Sequence, residues 1–263
     1  MDLQLKGKRA LVTGASRGLA YATACLLAAE GAHLLINSRN PESIQSAAAT
    51  ISNQSGSQVF SAAGDLTENG VPERVVGEAV QKLDGLDILI TNTGGPPAGK
   101  FQSFNDQDWH KALDLALMSH VRLIRSALPH LKQSSAASVL TITSVSVKQP
   151  IPNLVLSNSI RSATVNLTKT LALELGPQGI RFNSILPSWT VTQRVEELME
   201  DRAQRNNTSM QEEMHKQAQE SPLGRMGRPE EFANVAVFLV SPAASYLTGV
   251  ILSVDGGMYK GLF

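Results

Sequence analysis

The sequence predicts an α/β fold: a single domain spanning residues 1–263, built on a doubly wound parallel sheet of about seven strands with helices on both faces. Three observations carry this expectation. Short apolar runs alternate with longer stretches at helical spacing along the whole chain. The runs are continuous, as in Leu34-Leu35-Ile36, which suits strands covered on both faces. The first run leads into Thr13-Gly14-Ala15-Ser16-Arg17-Gly18, a glycine-rich turn that opens a helix.

Taken in order, Arg9-Ala10-Leu11-Val12 is the first strand, and the Ala- and Leu-rich residues 20–29 form a helix ending at Gly31. Ala32-His33-Leu34-Leu35-Ile36-Asn37 is the second strand. Asn40-Pro41-Glu42 starts the next helix, with a capping residue ahead of a proline whose fixed φ suits a first turn. Residues 58–63 form the third strand, ending at Gly64-Asp65; residues 71–83 are helical and residues 86–91 are the fourth strand. A long helix covers residues 109–131, with Leu113, Leu117, His120 and Ile124 at helical spacing. Residues 138–143 are the fifth strand, residues 153–175 a second long helix closed by Gly176-Pro177, and residues 179–186 the sixth strand. Arg228-Pro229-Glu230-Glu231 opens the last helix, through Val240, and residues 250–254 are the last strand. No repeat, low-complexity tract or linker divides the chain.

Composition removes several classes of function. Lys and Arg number 23, as do Asp and Glu, so no basic field exists to hold nucleic acid or an anionic membrane surface. Met1-Asp2-Leu3-Gln4-Leu5-Lys6 is no apolar leader, and no run of about 18 apolar residues occurs, so a cytoplasmic protein without a membrane partner is expected. Cys25 stands alone, and the histidines lack partners at metal-ligand spacing; neither a disulfide nor a metal is expected.

Open α/β sheets bind ligands at the carboxyl ends of their strands, so the loops there carry the functional reading. The first-turn N–H groups after Gly18 have no intrahelical partner and make an anion site, and the glycines let a pyrophosphate approach the backbone. Asn92-Thr93-Gly94-Gly95-Pro96-Pro97-Ala98-Gly99 follows the fourth strand and is too rich in Gly and Pro for a helix. Residues 192–219 are polar, charged and helix-prone, interrupted by Asn206-Asn207-Thr208. They are either a lid over the ligand or a solvated surface excursion.

Together these features resemble the short-chain dehydrogenase/reductase family across essentially the whole chain, which implies a Rossmann-type domain. Thr13-Gly14-x-x-x-Gly18-x-Ala20 is similar to the family's T-G-x-x-x-G-x-G loop, with Ala20 for the last glycine. Asn92-Thr93-Gly94 is similar to its N-N-A-G, and Gly64-Asp65-Leu66 to the acidic position that contacts adenine. Leu186-Pro187-Ser188-x-x-x-Thr192 is similar to the P-G segment whose threonine meets the nicotinamide amide. Gly224-Arg225-x-Gly227-x-Pro229-Glu230-Glu231 and Asp255-Gly256-Gly257 resemble the C-terminal signatures. The resemblance implies cofactor contacts at Thr13, Gly14, Ser16, Arg17, Gly18, Leu19, Ser38, Arg39, Asp65, Leu66, Asn92, Thr93, Gly94, Arg161, Pro187 and Thr192. It also implies a homotetramer formed by pairing the two long helices, with Leu123, Ala127, Leu167 and Leu171 as contact candidates.

The catalytic positions depart from the family pattern of Asn, Ser and Tyr-x-x-x-Lys. Ser144 closes the fifth strand as the family's serine does. Ser157-Asn158-Ser159-Ile160-Arg161 stands where the Tyr segment belongs, and Ala116 where the Asn belongs. The tyrosines, Tyr21, Tyr246 and Tyr259, lie far along the chain. A serine hydroxyl is a far weaker acid than a phenol, whose pKa is about 10, so Ser157 is no simple substitute. Arg161 stays protonated and cannot shuttle protons as lysine does. The i, i+4 spacing puts Ser157 and Arg161 on one helix face. There the guanidinium either holds ribose hydroxyls, clamps a substrate carboxylate, or is a relic without a chemical role. His120, one turn beyond Ala116, is the histidine to test as a proton donor.

NAD-preferring sites carry an acid after the second strand; residues 34–41 contain none. Asn37-Ser38-Arg39, together with Arg17, offers two cations that suit a 2′-phosphate, so NADP(H) is the expected cofactor. The function expected is an NADP(H)-dependent oxidoreductase interconverting a carbonyl and an alcohol on a small molecule. Ser144, Ser157 and Arg161 form the catalytic set, with atypical proton handling. The alternative is a catalytically degenerate NADP(H)-binding protein serving as a sensor or assembly partner.

Overall fold

The computed structural model describes residues 1–262. Seven strands form one sheet: Arg9–Thr13 (β1), His33–Ser38 (β2), Val59–Ala63 (β3), Ile88–Thr91 (β4), Ser138–Ile142 (β5), Arg181–Pro187 (β6) and Ile251–Val254 (β7). Their order is β3-β2-β1-β4-β5-β6-β7, and every neighbouring pair is parallel. The chain winds outward from β1 to β3, then returns to β4 on the other side of β1. The reversal therefore lies between β1 and β4, where such sheets open a crevice at their carboxyl ends.

The apolar runs explain the layering. Leu34 and Ile36 pack on one face of the sheet and Leu35 on the other, in two separate clusters of buried side chains. Gly18–Ala29 (α1), Pro41–Ser55 (α2) and Pro229–Val240 (α9) cover the first face. Val71–Leu83 (α3), Ser119–Leu131 (α5) and Val155–Leu175 (α6) cover the second. The doubly wound sheet expected from the sequence is the one observed. No helix among the described residues is long and apolar enough to cross a membrane.

Two helices differ instructively from expectation. The stretch expected as one helix over residues 109–131 starts earlier and is broken. Asp106–Leu113 (α4) begins at a capping box in which Asn105 accepts from the Asp108 N–H and Asp108 accepts from the Asn105 N–H. A π-helical turn, Asp114–Met118, then separates α4 from α5. Hydroxyls also meet carbonyls of this turn: Ser119 Oγ donates to Asp114 O at 2.9 Å, beside the Ser119 N–H, and Thr164 Oγ1, from α6, donates to Ala116 O. The second long helix starts at Val155 and not at Asn153, because Asn153 adopts φ 65°, a left-handed conformation that no helix continues through.

Candidate active site

The turn after β1 is built around one close approach. Gly14 has φ 62°, and a Cβ there would lie 2.6 Å from Asn92 Nδ2 and 2.9 Å from Asn92 O. Only glycine fits that contact. Thr13, expected at the cofactor, does another job. It is buried, its hydroxyl donates to Asn92 O at 2.8 Å, and the same oxygen accepts from the Asn92 N–H at 2.9 Å. Thr13 is a latch between the β1 and β4 loops and not a wall of the cleft.

α1 begins at Arg17 without a side-chain cap and without an acid in its first turn. By contrast, Asn40, Asn105, Thr192 and Ser209 each cap the helix that follows them. The first-turn N–H groups of α1 are thus left for an external anion. A Cβ on Gly94 would meet no protein atom within 4 Å, so that glycine opens onto free space. Thr93 Oγ1 and Thr143 Oγ1 are buried and have no hydrogen-bond partner. An uncapped helix start, an open glycine and unpartnered hydroxyls fit a dinucleotide rich in oxygen acceptors and donors.

These features line one cleft of about 680 Å³. It gathers Gly14, Ser16, Arg17, Gly18, Leu19, Ser38, Arg39, Asp65, Leu66, Asn92, Thr93, Gly94, Ser144, Ser157, Arg161, Pro187 and Thr192. Of the expected site residues, only Thr13 lies outside it. Arg39 and Asp65 face each other at 4.0 Å. Asp65 Oδ1 is already engaged by the Thr67 N–H and hydroxyl, at 2.9 and 2.8 Å. Asn37, also in the lining, spends its amide N–H on Ala62 O at 3.0 Å and Gly64 O at 3.3 Å.

The three residues expected to be catalytic share this cleft. Ser144 Oγ accepts from the Ser146 N–H at 3.1 Å, which leaves its own proton to donate. Ser157 makes no side-chain hydrogen bond within the described chain. Arg161 is 6% exposed and makes one hydrogen bond, from Nη2 to Gly94 O at 3.3 Å. Burial, reinforced by the positive charge of Arg194, lowers its pKa to about 10, so it remains a cation at neutral pH. His120 is buried, with Nδ1 2.7 Å from Thr91 Oγ1 and Nε2 unpartnered. Burial and then the Arg161 charge push its pKa down to about 3. His120 is neutral at physiological pH and is no imidazolium acid.

Gln193–Asn206 (α7) and Met210–Gln219 (α8) occupy the polar stretch expected as a lid. Arg17 donates to Gln193 and lies 4.0 Å from Glu197, so the start of α7 touches the phosphate turn. Arg194, Trp189, Ile151, Leu154 and Leu198 also line the cleft and were not legible in the sequence. Ile151, Leu154, Trp189 and Leu198 continue into an adjoining cavity of about 640 Å³. No cluster of three or more His, Cys, Asp or Glu able to hold a metal exists among the described residues.

Fold and cleft define a doubly wound, Rossmann-type α/β protein. The family profile described as Enoyl-(Acyl carrier protein) reductase matches residues 14–259. The chain is 33% identical over 257 residues to Dehydrogenase/reductase SDR family member 4 of Oryctolagus cuniculus, covering 96% of this chain and 94% of that one. Among solved structures it superposes on L-sorbose reductase from Gluconobacter frateurii, complexed with NADPH and L-sorbose, with a TM-score of 0.95, 30% identity and full coverage of both chains. It also superposes on the NADPH-bound short-chain oxidoreductase of Pseudomonas aeruginosa PAO1 that contains an atypical catalytic center. There the TM-score is 0.87, with 27% identity and coverage of 97% and 98%. The chain belongs to the short-chain dehydrogenase/reductase family.

Proposed function

We propose that this protein is an NADP(H)-dependent oxidoreductase that interconverts a carbonyl and an alcohol on a small molecule, without a tyrosine acid. The observation that carries the reading is Ser144. It stands in the cleft at the end of β5, with its oxygen held by the Ser146 N–H and its proton free for a reacting oxygen. The first turn of α1, with Gly14, Gly18 and Thr93, would hold the dinucleotide; Arg17 and Arg39 would meet a 2′-phosphate. The NADPH held by L-sorbose reductase and by the Pseudomonas protein supports that choice. The bound nicotinamide supplies or accepts the hydride.

The chain's own residues then handle the oxygen. Ser144 donates a hydrogen bond to the charge that develops there. Ser157, without a partner in the chain, holds a water or the substrate oxygen. Arg161 remains charged and gives hydrogen bonds but no proton. His120, neutral with a pKa of about 3, is no acid either. Reduction therefore draws its proton from water relayed by the serine hydroxyls. A lid over residues 192–219, a homotetrameric assembly and a cytoplasmic location belong to the same reading.

The test is cofactor oxidation with a carbonyl panel, comparing wild type with Ser144→Ala. Removing one donor to a developing oxyanion costs about 10²- to 10³-fold in rate. The loss should appear at kcat, with NADH at least about tenfold less effective than NADPH. An unchanged rate in Ser144→Ala removes that residue from the mechanism. No turnover of any carbonyl leaves a degenerate NADP(H)-binding protein as the reading that stands.

A further inference from the structure

Arg161 is buried and Arg181 is half-buried, and the two are provided for differently. Arg181 sends its donors to the carbonyls at the end of α9 and just beyond: Leu239 O at 2.8 Å, Leu247 O at 3.2 Å, Val240 O at 3.0 Å and Ser241 O at 3.0 Å. Those carbonyls form the negative end of a helix, a natural seat for a structural cation. Arg161 has five N–H donors and one acceptor, Gly94 O at 3.3 Å. No carboxylate lies within 4 Å of it among the described residues. A buried cation so poorly partnered is costly unless something outside the chain completes it.

A second cation makes the deficit larger. Arg194 is the group whose positive charge acts on Arg161. Its Nη2 lies 3.6 Å from where a Cβ of Gly95 would stand, while Arg161 Nη2 contacts the carbonyl of Gly94. The two guanidiniums thus flank the same pair of glycines. Arg194 also sits in the first turn of α7, the positive end of that helix, so helix stability does not explain it. Its partner, Glu197, is 3.7 Å away at an exposed site and is shared with Arg17 at 4.0 Å. Such a contact is weak and offsets little of the charge.

The cleft as a whole carries Arg17, Arg39, Arg161 and Arg194 against one acid, Asp65. Phosphates of a bound NADP(H), at the α1 turn and beyond β2, would balance Arg17 and Arg39. Among the described residues Arg161, on α6, has no carboxylate within 4 Å, and Arg194, on α7, has only the exposed Glu197 that it shares with Arg17. Ribose hydroxyls supply hydrogen bonds there but no negative charge.

Building on the oxidoreductase reading, we propose that the substrate is an oxo acid or hydroxy acid whose carboxylate is clamped by Arg161 and Arg194 across Gly94-Gly95. A planar carboxylate matches a guanidinium fork and shields each cation from the other. The adjoining cavity, entered past Ile151, Leu154 and Trp189, accommodates the rest of an extended or cyclic substrate.

The test uses short and long 2-oxo, 3-oxo and 4-oxo acids beside their methyl esters, with dihydroxyacetone phosphate as a phosphate-bearing carbonyl. NADPH oxidation gives kcat/KM, and tryptophan fluorescence, with Trp189 in the cleft, gives binding without turnover. The acids should exceed their esters by about tenfold or more in both readouts, since each contact is a charge-assisted hydrogen bond. Arg194→Gln, an exposed change compatible with folding, should erase that preference, and Arg194→Lys should restore part of it. Esters reduced as well as acids would overturn the clamp while leaving the oxidoreductase reading intact. Acids bound in preference, dependent on Arg194 but never reduced, would uphold the clamp and overturn the redox reading. Preference for the phosphate compound would overturn the carboxylate assignment. Absence of both binding and turnover would overturn both readings.

Discussion

Burial decides what His120 can do and ties it to stability. An unfolded chain protonates a histidine near its ordinary pKa of about 6.5. In the fold, His120 does not protonate until about 3, because it is desolvated and faces the Arg161 cation. Between those values the unfolded state binds the extra proton. The contribution of His120 to stability is therefore intact above the upper value and is lost progressively as pH falls. The carboxylates of Glu213 and Glu231 act in a lower window. The first is held to about 2 by Lys216 and Thr208, the second to about 2 by Arg225 and the Arg228 N–H. Their stabilisation is full above the ordinary carboxylate range and is lost toward that value. Urea denaturation should thus show wild type losing about 1 kcal/mol between pH 7 and 5.5. His120→Asn, which keeps a partner for Thr91, should lose less. Identical pH slopes in the two proteins would show that His120 is not the group responsible.

Between α4 and α5 the π-helical turn shows how one element depends on another. Thr164 of α6 donates its hydroxyl to the Ala116 carbonyl inside that turn. Thr164→Val keeps the shape and removes that donor from a buried carbonyl. Stability should fall by about 1–3 kcal/mol, read from the urea midpoint at constant slope. A shift below a few tenths would show that water or a relaxed turn replaces the bond. This turn was not legible in the sequence, where Leu113, Leu117, His120 and Ile124 keep helical spacing straight through it. The hydroxyl that meets it comes from a threonine far along the chain. The strands were legible to within a residue or two, because parallel strands covered on both faces need continuous apolar runs. In the site, Gly14, Gly18 and Gly94 were legible because local backbone geometry demands them. The Asn92 bonds of Thr13 were not legible, since the direction of its hydroxyl is set by the neighbouring strand. Arg194 was passed over because nothing in a polar helix marks which of its charges turns inward.

At the scale of the molecule, the face of α6 that carries Ser157 and Arg161 looks inward, and the opposite face is free. Leu123 and Ala127, expected at an interface between subunits, are fully buried against the sheet and cannot supply one. Leu171 likewise packs partly onto that core. The exposed residues of α6 are Ser159, Ala163, Asn166, Lys169, Thr170, Leu173 and Glu174, of which Ser159, Ala163, Asn166, Thr170 and Leu173 fall at helical spacing along the outer face, with Leu173 at 73% exposure. Small side chains at helical spacing let a second helix approach closely, and an isologous contact needs such a surface to meet its own copy. The same helix would then brace the catalytic face from behind. The homotetramer should therefore depend on the middle of α6. Ala163→Arg places a long cation where two copies of the residue come together, and light scattering at micromolar concentration should show a smaller species with unchanged far-ultraviolet circular dichroism. A wild type that is monomeric under those conditions would refute the assembly outright. A variant that remains tetrameric would move the interface away from this face.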